Sequence, residues 1–289
     1  MNGPLTDDAI GAAMGEELMR TVRRAARMFT LHARHSGFTA AGAEVRFGEP
    51  GGLPPVVLVL SDGRRIALRG VIDRIDRWEG DNGLYLRVVD YKSSQKELNP
   101  VRMQWGLQLQ LMLYLEAASR GLHGLPAGAY YFTVQDPLVE TGDDLAAEAE
   151  AALAKKLRLS GVTLADVKVA AAMNSGDGPE VVAGVINRDG SIRKDALAAD
   201  LNGMYALMRH AHKLAGHLAE RMLSGEIGIH PARLGDWTAC QQCPYAAVCG
   251  RDERLPGGRP ADLDADRQET WLRMISPGPA MPAETGVPV

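Results

Sequence analysis

The sequence is poor in aromatic residues and in cysteine, and it carries no strong excess of one charge. Only 5% of its 289 residues are aromatic, so aliphatic side chains must supply most of the packing in its core. Three cysteines, an odd number, do not make a framework of disulfides. The net charge is −4, whereas proteins that coat duplex nucleic acid are usually basic. Any nucleic-acid site must therefore be a local basic patch or must use metal ions.

Long apolar runs are also missing. No run approaches the roughly 18 residues that a membrane-spanning helix needs. The start of the sequence lacks the charged leader and apolar segment of a secretory signal. We therefore expect a cytoplasmic protein that does not enter a membrane.

The spacing of the apolar residues predicts an α/β protein. A helical period covers the segments 7–35, 103–120, 143–160 and 196–225. Between Val56 and Lys92 the period changes to two, which predicts three strands paired as an antiparallel meander. The apolar run Ala129–Val134 follows a helix, an order typical of a strand parallel to an earlier one, so a mixed sheet is expected. Residues 171–180 are expected to form a loop.

The first predicted helix carries a basic stripe. Helical spacing relates Arg20, Arg23, Arg24 and Arg27 along one face. A stripe of this kind is either an ordinary solvated face or a surface that follows phosphates, and the sequence leaves both interpretations open.

Two acidic residues and a lysine are predicted to meet at the end of a pair of strands. Because residues two apart share a face of a strand, Asp90 and Lys92 project together, and Asp73 approaches them if the strands form a hairpin. Carboxylates with open water positions suit Mg²⁺ or Mn²⁺, and such a site can activate a water for attack on a phosphodiester. An acid two residues before a lysine is expected about once by chance in this composition, and Asp166 and Lys168 form a second instance. An exposed ion pair is therefore the alternative interpretation.

The helix that follows these strands presents two polar residues on one face. Gln110 and Tyr114 are four residues apart in a segment that is apolar almost all round, so we expect both to be buried and to need partners. A phosphate or the lysine would serve. A mutually satisfied polar pair within the core is the alternative.

These segments resemble a known family. Successive motifs of the RecB-like branch of the PD-(D/E)XK nucleases are similar to the segments GVIDRID (70–76), DYKSS (90–94) and QLMLY (110–114). The C-terminal nuclease domain of the B subunits of AddAB helicase–nucleases is similar to the segments 44–48, 106–110 and 127–132 and to the cysteine-rich end. The resemblance runs from about residue 16 to residue 275.

The resemblance implies a fold, an activity and a role for each matched residue. The fold would be a restriction-endonuclease-like core, a mixed central sheet flanked by helices, within residues 1–275, with a C-terminal Cys-rich cap at 237–250. Residues 276–289 are expected from their own composition to form a disordered tail. The activity would be Mg²⁺- or Mn²⁺-dependent hydrolysis of single-stranded DNA at unwound duplex ends for recombinational repair, together with an ATP-driven A subunit. The implied roles are metal ligation by Asp73, Asp90 and the Tyr91 carbonyl, catalysis by Lys92, and positioning of the scissile strand by Gln110 and Tyr114.

The three cysteines, Cys240, Cys243 and Cys249, lie close together in the sequence. Thiolates crowded in this way suggest zinc or an iron–sulfur cluster. The resemblance implies a 4Fe-4S cluster with a fourth, distant cysteine, but this sequence has no fourth cysteine. We therefore expect a cluster completed by a non-protein ligand, zinc bound with a histidine such as His230, or an empty site.

The helicase-like region of the resembled proteins, and the upstream helix that supplies a histidine near their metal, have no counterpart here, so we expect a fragment of a longer protein. Two other functions stay open. One is a free-standing RecB-like nuclease of the CRISPR-associated kind, and the other is a non-catalytic module that binds DNA ends or serves as a scaffold. The presence of Asp73, Asp90 and Lys92 together favours an enzyme.

Overall fold

The helices and strands alternate along the chain. The computed structural model describes residues 9–139 and 145–276, with the exception of 177, 186, 188–190, 192, 194, 195, 256–258 and 264. The helices are α1 (Ala9–Arg34), α2 (Pro100–Gln104), α3 (Gln110–Gly121), α4 (Leu145–Lys156), α5 (Val167–Met173), α6 (Leu201–Leu223), α7 (Ala246–Cys249) and α8 (Arg267–Ile275). The strands are β1 (Thr39–Phe47), β2 (Val56–Val59), β3 (Arg65–Leu68), β4 (Gly70–Gly80), β5 (Gly83–Lys92), β6 (Leu125–Thr133), β7 (Ser160–Leu164), β8 (Ala198–Ala199), β9 (Ala232–Leu234), β10 (Trp237–Thr238) and β11 (Ala261–Asp262).

The central sheet is mixed, which confirms the predicted fold class. Its strand order is β1-β4-β5-β6-β7-β8. β4 and β5 form an antiparallel hairpin in which Gly80 pairs with Gly83, and Gly83 has a φ of +116°, a conformation that favours glycine. β6 lies parallel to β5 after the crossover through α2 and α3, as the order of strand, helix and strand predicts.

The predicted meander is wrong in its middle strand, which is divided at Arg69 into β3 and β4. β3 pairs with β2 in a separate two-stranded sheet, while β4 pairs with β5 in the central sheet. The edge of β4 is occupied instead by β1, a strand that the sequence pattern did not indicate. The close packing of these two strands depends on Gly70, where a Cβ atom would lie 2.8 Å from the ring of Phe47.

Three predicted element boundaries also differ from the structure. The helix predicted over 103–120 is divided into α2 and α3, because Gly106 between them has a φ of +82°. The helix predicted over 143–160 ends at Lys156, and Ser160 begins a strand of the sheet. The loop predicted over 171–180 begins later, because α5 continues to the buried Met173.

Helices cover both faces of the two central strands. Six consecutive residues of β5 and seven of β6 are buried, as is usual for strands with both faces covered. On one face the ring of Phe29 in α1 lies 5.2 Å from that of Tyr91 and 4.9 Å from that of Phe132. α3 packs on the other face, and α6 packs against α3. Among the described helices, none is long and apolar enough to cross a membrane.

The cysteine-containing segment lies outside this core. It consists of β10, a 3₁₀ turn at Ala239–Gln242 and α7, and β10 joins β9 and β11 in a small sheet. No residue from 212 to 250 is fully buried. The division into a nuclease domain with a cysteine-rich cap therefore stays a prediction. The tail predicted to be disordered lies, apart from Ser276, outside the described residues.

Candidate active site

Asp90 and Lys92 lie at the end of β5 and project from the same face. The Lys92 Nζ atom lies 2.5 Å from Asp90 Oδ2, so the two side chains form an ion pair. The Asp90 side chain is only 3% exposed, whereas that of Lys92 is 24% exposed. The alternative of a solvated strand-end ion pair is therefore wrong for the acid, which is held inside the protein.

Asp73 joins this pair through the β4–β5 hairpin. Arg74 pairs with Val89, so Asp73 and Asp90 come next in the same register. The backbone N–H of Tyr91 donates a hydrogen bond to Asp73 Oδ2 at 2.6 Å. Burial raises the pKa of Asp90 above its usual range, the Lys92 ammonium opposes that rise, and the charge of Asp73 adds to it. Two carboxylates near each other, one of them poorly solvated, form an arrangement that a cation stabilises.

Gln110 and Tyr114 extend the site along the first turn of α3. Lys92 Nζ donates to Gln110 Oε1 at 3.2 Å, and Gln110 Nε2 donates to the Tyr114 hydroxyl at 2.9 Å. The expectation that both are buried is wrong, because Gln110 is exposed and Tyr114 is half-buried. The buried glutamine of this segment is Gln108, which binds the backbone of the loop before α2. Gln110 and Tyr114 are thus open to a ligand at the site.

Tyr131 lies beneath the lysine, and the sequence did not indicate it. It pairs with Asp90 in the parallel register between β5 and β6. The Nζ atoms of Lys92 and Lys96 lie 5.8 Å and 5.1 Å from the centre of its ring, within the range of cation–π attraction. Its buried hydroxyl has no hydrogen-bond partner among the described residues, and burial and the charge of Asp90 raise its pKa. The ring therefore forms an apolar floor under the two ammonium groups.

A buried charged network stabilises the same hairpin from its other face. Arg87 Nε donates to Asp76 Oδ2 at 2.8 Å, and Arg74 Nε donates to Asp76 Oδ1 at 2.5 Å. The side chains of Asp76 and Arg87 are both 0% exposed, and the Arg87 guanidinium lies over the ring of Phe38. An arginine in the middle of the otherwise apolar strand segment LYLRVVDYK was the available signal, since a buried guanidinium needs an acidic partner. The second acid of the GVIDRID motif thus belongs to this network.

The oxygen atoms at the end of β5 are suitable ligands for a hard divalent cation. Mg²⁺ is usually held by one or two carboxylates and keeps several waters. Asp73 and Asp90 supply two carboxylates, and Asp90 Oδ2 is buried without a well-aligned hydrogen bond from any described residue. Within the described ranges, no three side chains of His, Cys, Asp or Glu converge as a metal site, so the remaining ligands would be backbone carbonyl and water.

The same observation applies to the cysteines. Cys243 is exposed, and Cys240 and Cys249 are partly buried. They do not converge with each other or with His230 into a group that could hold a metal, as far as the described residues show. The predicted iron–sulfur or zinc site therefore has no support in the structure.

Known proteins of a nuclease family are similar to this chain. The profile of the PD-(D/E)XK nuclease superfamily matches residues 4–250. Proteins named as the B subunit of an ATP-dependent helicase/deoxyribonuclease are similar over most of the chain. Those of Thermoanaerobacter sp. (strain X514), Bacillus pumilus and Moorella thermoacetica are 34%, 35% and 38% identical and align with 91%, 91% and 88% of the chain.

These alignments cover only 24%, 23% and 23% of the three relatives, so the chain spans about a quarter of their length. The superfamily match covers the central sheet, the site at the end of β5 and the cysteine-containing segment. The chain therefore belongs to the PD-(D/E)XK nuclease superfamily.

Proposed function

We propose that this chain hydrolyses phosphodiester bonds of single-stranded DNA at unwound duplex ends, with Mg²⁺ or Mn²⁺, as the nuclease domain of a helicase–nuclease complex. One observation carries the proposal: Asp73 and Asp90 adjoin at the ends of two paired strands, with the Lys92 ammonium 2.5 Å from Asp90. The name of the relatives includes both a helicase and a deoxyribonuclease, which supports DNA as the substrate and an ATP-driven helicase as the partner. The proposed domain extends over residues 1–275.

Asp73, Asp90 and the Tyr91 carbonyl would hold the metal ion. When bound, the ion polarises the scissile phosphate and lowers the pKa of a bound water. The buried position of Asp90 limits competition from bulk water for this carboxylate. The Tyr91 N–H holds Asp73 in place through its 2.6 Å hydrogen bond, so the two ligands are preorganised by the hairpin itself.

Lys92 would act on the reacting phosphate. Its ammonium is partly exposed and is held between Asp90 and Gln110. From this position it can donate a hydrogen bond to the attacking water or to a phosphate oxygen on which negative charge develops. Gln110 is exposed at the start of α3 and would contact the strand, while its bond to Tyr114 orients its amide. The cysteine segment has no part in this proposal.

The test is cleavage of end-labelled single-stranded DNA by the purified full chain, with Mg²⁺, with Mn²⁺ or with EDTA. We expect cleavage with either metal, none with EDTA, and none from the Asp90→Ala variant. Asp166→Ala is the matched control, because it removes the acid of the second Asp-x-Lys sequence, and it should cut like the unmodified chain. Cleavage that persists in EDTA or in Asp90→Ala would contradict the proposal. A folded chain that binds DNA without cutting it would support the non-catalytic module.

A further inference from the structure

A basic groove lies beside the proposed active site. It is a cavity of about 490 Å³, which we call the basic groove. Among the described residues, its lining includes one acid, Glu97, and five basic residues: Lys96, Lys155, Lys156, Arg158 and Arg267. Lys96 is four residues beyond Lys92, and Thr133 of the lining pairs with Lys92 in the β5–β6 register. The groove therefore begins where β5 ends.

Most of these cations form no ion pair with an acid in the part of the chain that the structure describes. Arg158 pairs with Glu180, but Lys96, Lys155 and Arg267 form no ion pair with the acids of the described residues. Lys96 lies over the ring of Tyr131 instead. Burial lowers the pKa of Lys96, and so do the charges of Lys92 and Arg102, while Asp90 opposes them. A bound anion would relieve this repulsion.

The basic stripe of α1 is half paired with acids and lies outside the cavity. Arg24 is paired with Asp136 at 3.0 Å, and Arg27 lies 3.9 Å from Glu150. Arg20 and Arg23 are exposed on the surface of a helix and do not line the cavity. Of the two basic surfaces, the groove is thus the concave one, the less neutralised one and the one that continues from the end of β5.

We propose that the basic groove binds backbone phosphates of the DNA strand on one side of the scissile bond. This inference rests on the proposed nuclease function, because that function supplies the strand. Lysine and arginine contacts to phosphate position a strand without reading its sequence, so the groove would hold any sequence in register with Lys92. Because the net charge of the chain is −4, a nucleic-acid site needs a local basic patch or metal ions, and the groove is such a patch.

The test compares two double variants that remove the same charge from exposed positions. Lys155→Gln/Arg267→Gln alters the groove, and Arg20→Gln/Arg23→Gln alters the α1 stripe as the matched control. Binding of a fluorescent 20-nucleotide strand is measured by anisotropy in EDTA over a range of salt concentrations. We expect the groove variant to bind about tenfold more weakly and its salt dependence to fall by roughly 1.4 in the slope of log K against log salt, about 0.7 for each lost phosphate contact.

A second measurement separates the groove from the chemistry. With Mg²⁺ the groove variant should raise KM for the 20-nucleotide strand and leave kcat and the cleavage of a dinucleotide unchanged. Two outcomes would contradict phosphate binding by the groove and leave the proposed nuclease function standing. One is unchanged affinity and KM in the groove variant, and the other is an equal loss of affinity in the stripe variant. Groove-dependent binding by a chain that does not cut would instead support the groove and remove the proposed function.

Discussion

The chain contains two sequences in which an acid precedes a lysine by two residues, and they lie in different kinds of backbone. At the end of β5, alternation places Asp90 and Lys92 on one face, where they form an ion pair. At the start of α5, the Asp166 carboxylate caps the helix and accepts hydrogen bonds from the N–H groups of Lys168 and Val169. The Lys168 side chain pairs instead with Asp81 in the β4–β5 turn. The same spacing therefore gives a site in one place and a helix cap in the other.

The two Asp-x-Lys sequences also differ in how far their side chains are buried. The Asp90 side chain is 3% exposed, whereas Lys168 and Asp81 are 72% and 70% exposed. An exposed pair is weakened by water and salt and contributes little to stability. A carboxylate that the fold withdraws from water needs a cation, which is the property that a metal site requires. Spacing can thus indicate a pair, but the surroundings decide what the pair can do.

The largest expected difference is in cleavage. Lys92→Ala should lower kcat/KM on single-stranded DNA by about 10³-fold, a loss typical of removing one donor to a developing negative charge. Lys168→Ala should leave the rate unchanged, because its ammonium lies at an exposed surface pair. Single-turnover cleavage of the two variants, each checked for folding by circular dichroism, measures the effect. Equal rates in the two variants would show that the pair at the end of β5 has no special role.

The next largest effect concerns the buried network that holds β5 in place. Arg87→Met should lower the free energy of unfolding by about 3 kcal/mol, at the lower end for a broken buried pair because Arg74 still bonds Asp76. Urea denaturation is the measurement, with Lys168→Met as the control that breaks a surface pair and should not shift the midpoint. A double variant, Asp76→Leu with Arg87→Met, should lose less than the sum of the two single changes. Additive losses would mean that the two groups act separately.

A third prediction uses the pH dependence of stability. His32 on α1 is 2% exposed, and burial, with the charges of Arg87 and Arg74, lowers its pKa from 6.5 to about 4. Between these values the unfolded chain binds a proton that the folded chain rejects. The stability that depends on neutral His32 is therefore complete above pH 6.5 and is lost as the pH falls toward 4.

The loss from His32 should be about 2 kcal/mol between about pH 7.5 and about pH 5. Comparing urea denaturation of the unmodified chain and of His32→Gln at the two pH values isolates it. The exposed pair of Lys168 and Asp81 adds nothing to this dependence, because the pKa of Lys168 is raised and that of Asp81 is lowered, so both stay charged throughout. A pH profile identical in the two proteins would disprove the role of His32.

The smallest expected change in stability distinguishes the two acids, Asp90 and Asp166. Asp166→Ala removes the side-chain cap of α5 and should cost about 1 kcal/mol of stability while cleavage continues. Asp90→Asn should do the reverse. Cleavage should stop, and stability at neutral pH should stay equal or rise, because a neutral amide avoids the cost of burying a charge. Thermal unfolding and cleavage measured on both variants test the pair of expectations, and a large stability loss in Asp90→Asn would contradict the second.

The residues of the site differ in how far the sequence could predict them. Asp90 and Lys92 could be placed together from strand alternation alone, because that rule is local. Asp73 needed only a hairpin, and the turn residues before Gly83 indicated one. The prediction that Gln110 is buried was wrong because it assumed one long helix. Gly106 divides that helix, so Gln110 lies exposed at the first position of α3.

Other features required contacts between distant segments. Tyr131 meets Lys92 only because β6 lies parallel to β5 in one particular register. The basic groove combines residues from the loop after β5, from α4 and from the first turn of α8, and no local pattern relates them. The cysteines are the opposite case. Their sequence spacing suggests a metal centre, for which the described residues give no support.

The sequence by itself determined the α/β class, the Asp73, Asp90 and Lys92 constellation and the superfamily, because strand alternation and motif spacing are local properties of the chain. The tertiary structure alone decided which Asp-x-Lys sequence is buried, which side chains pack against it, and where basic residues cluster beside it. Those outcomes depend on strand register and helix packing, since burial and charge repulsion are set by neighbours that are remote in sequence.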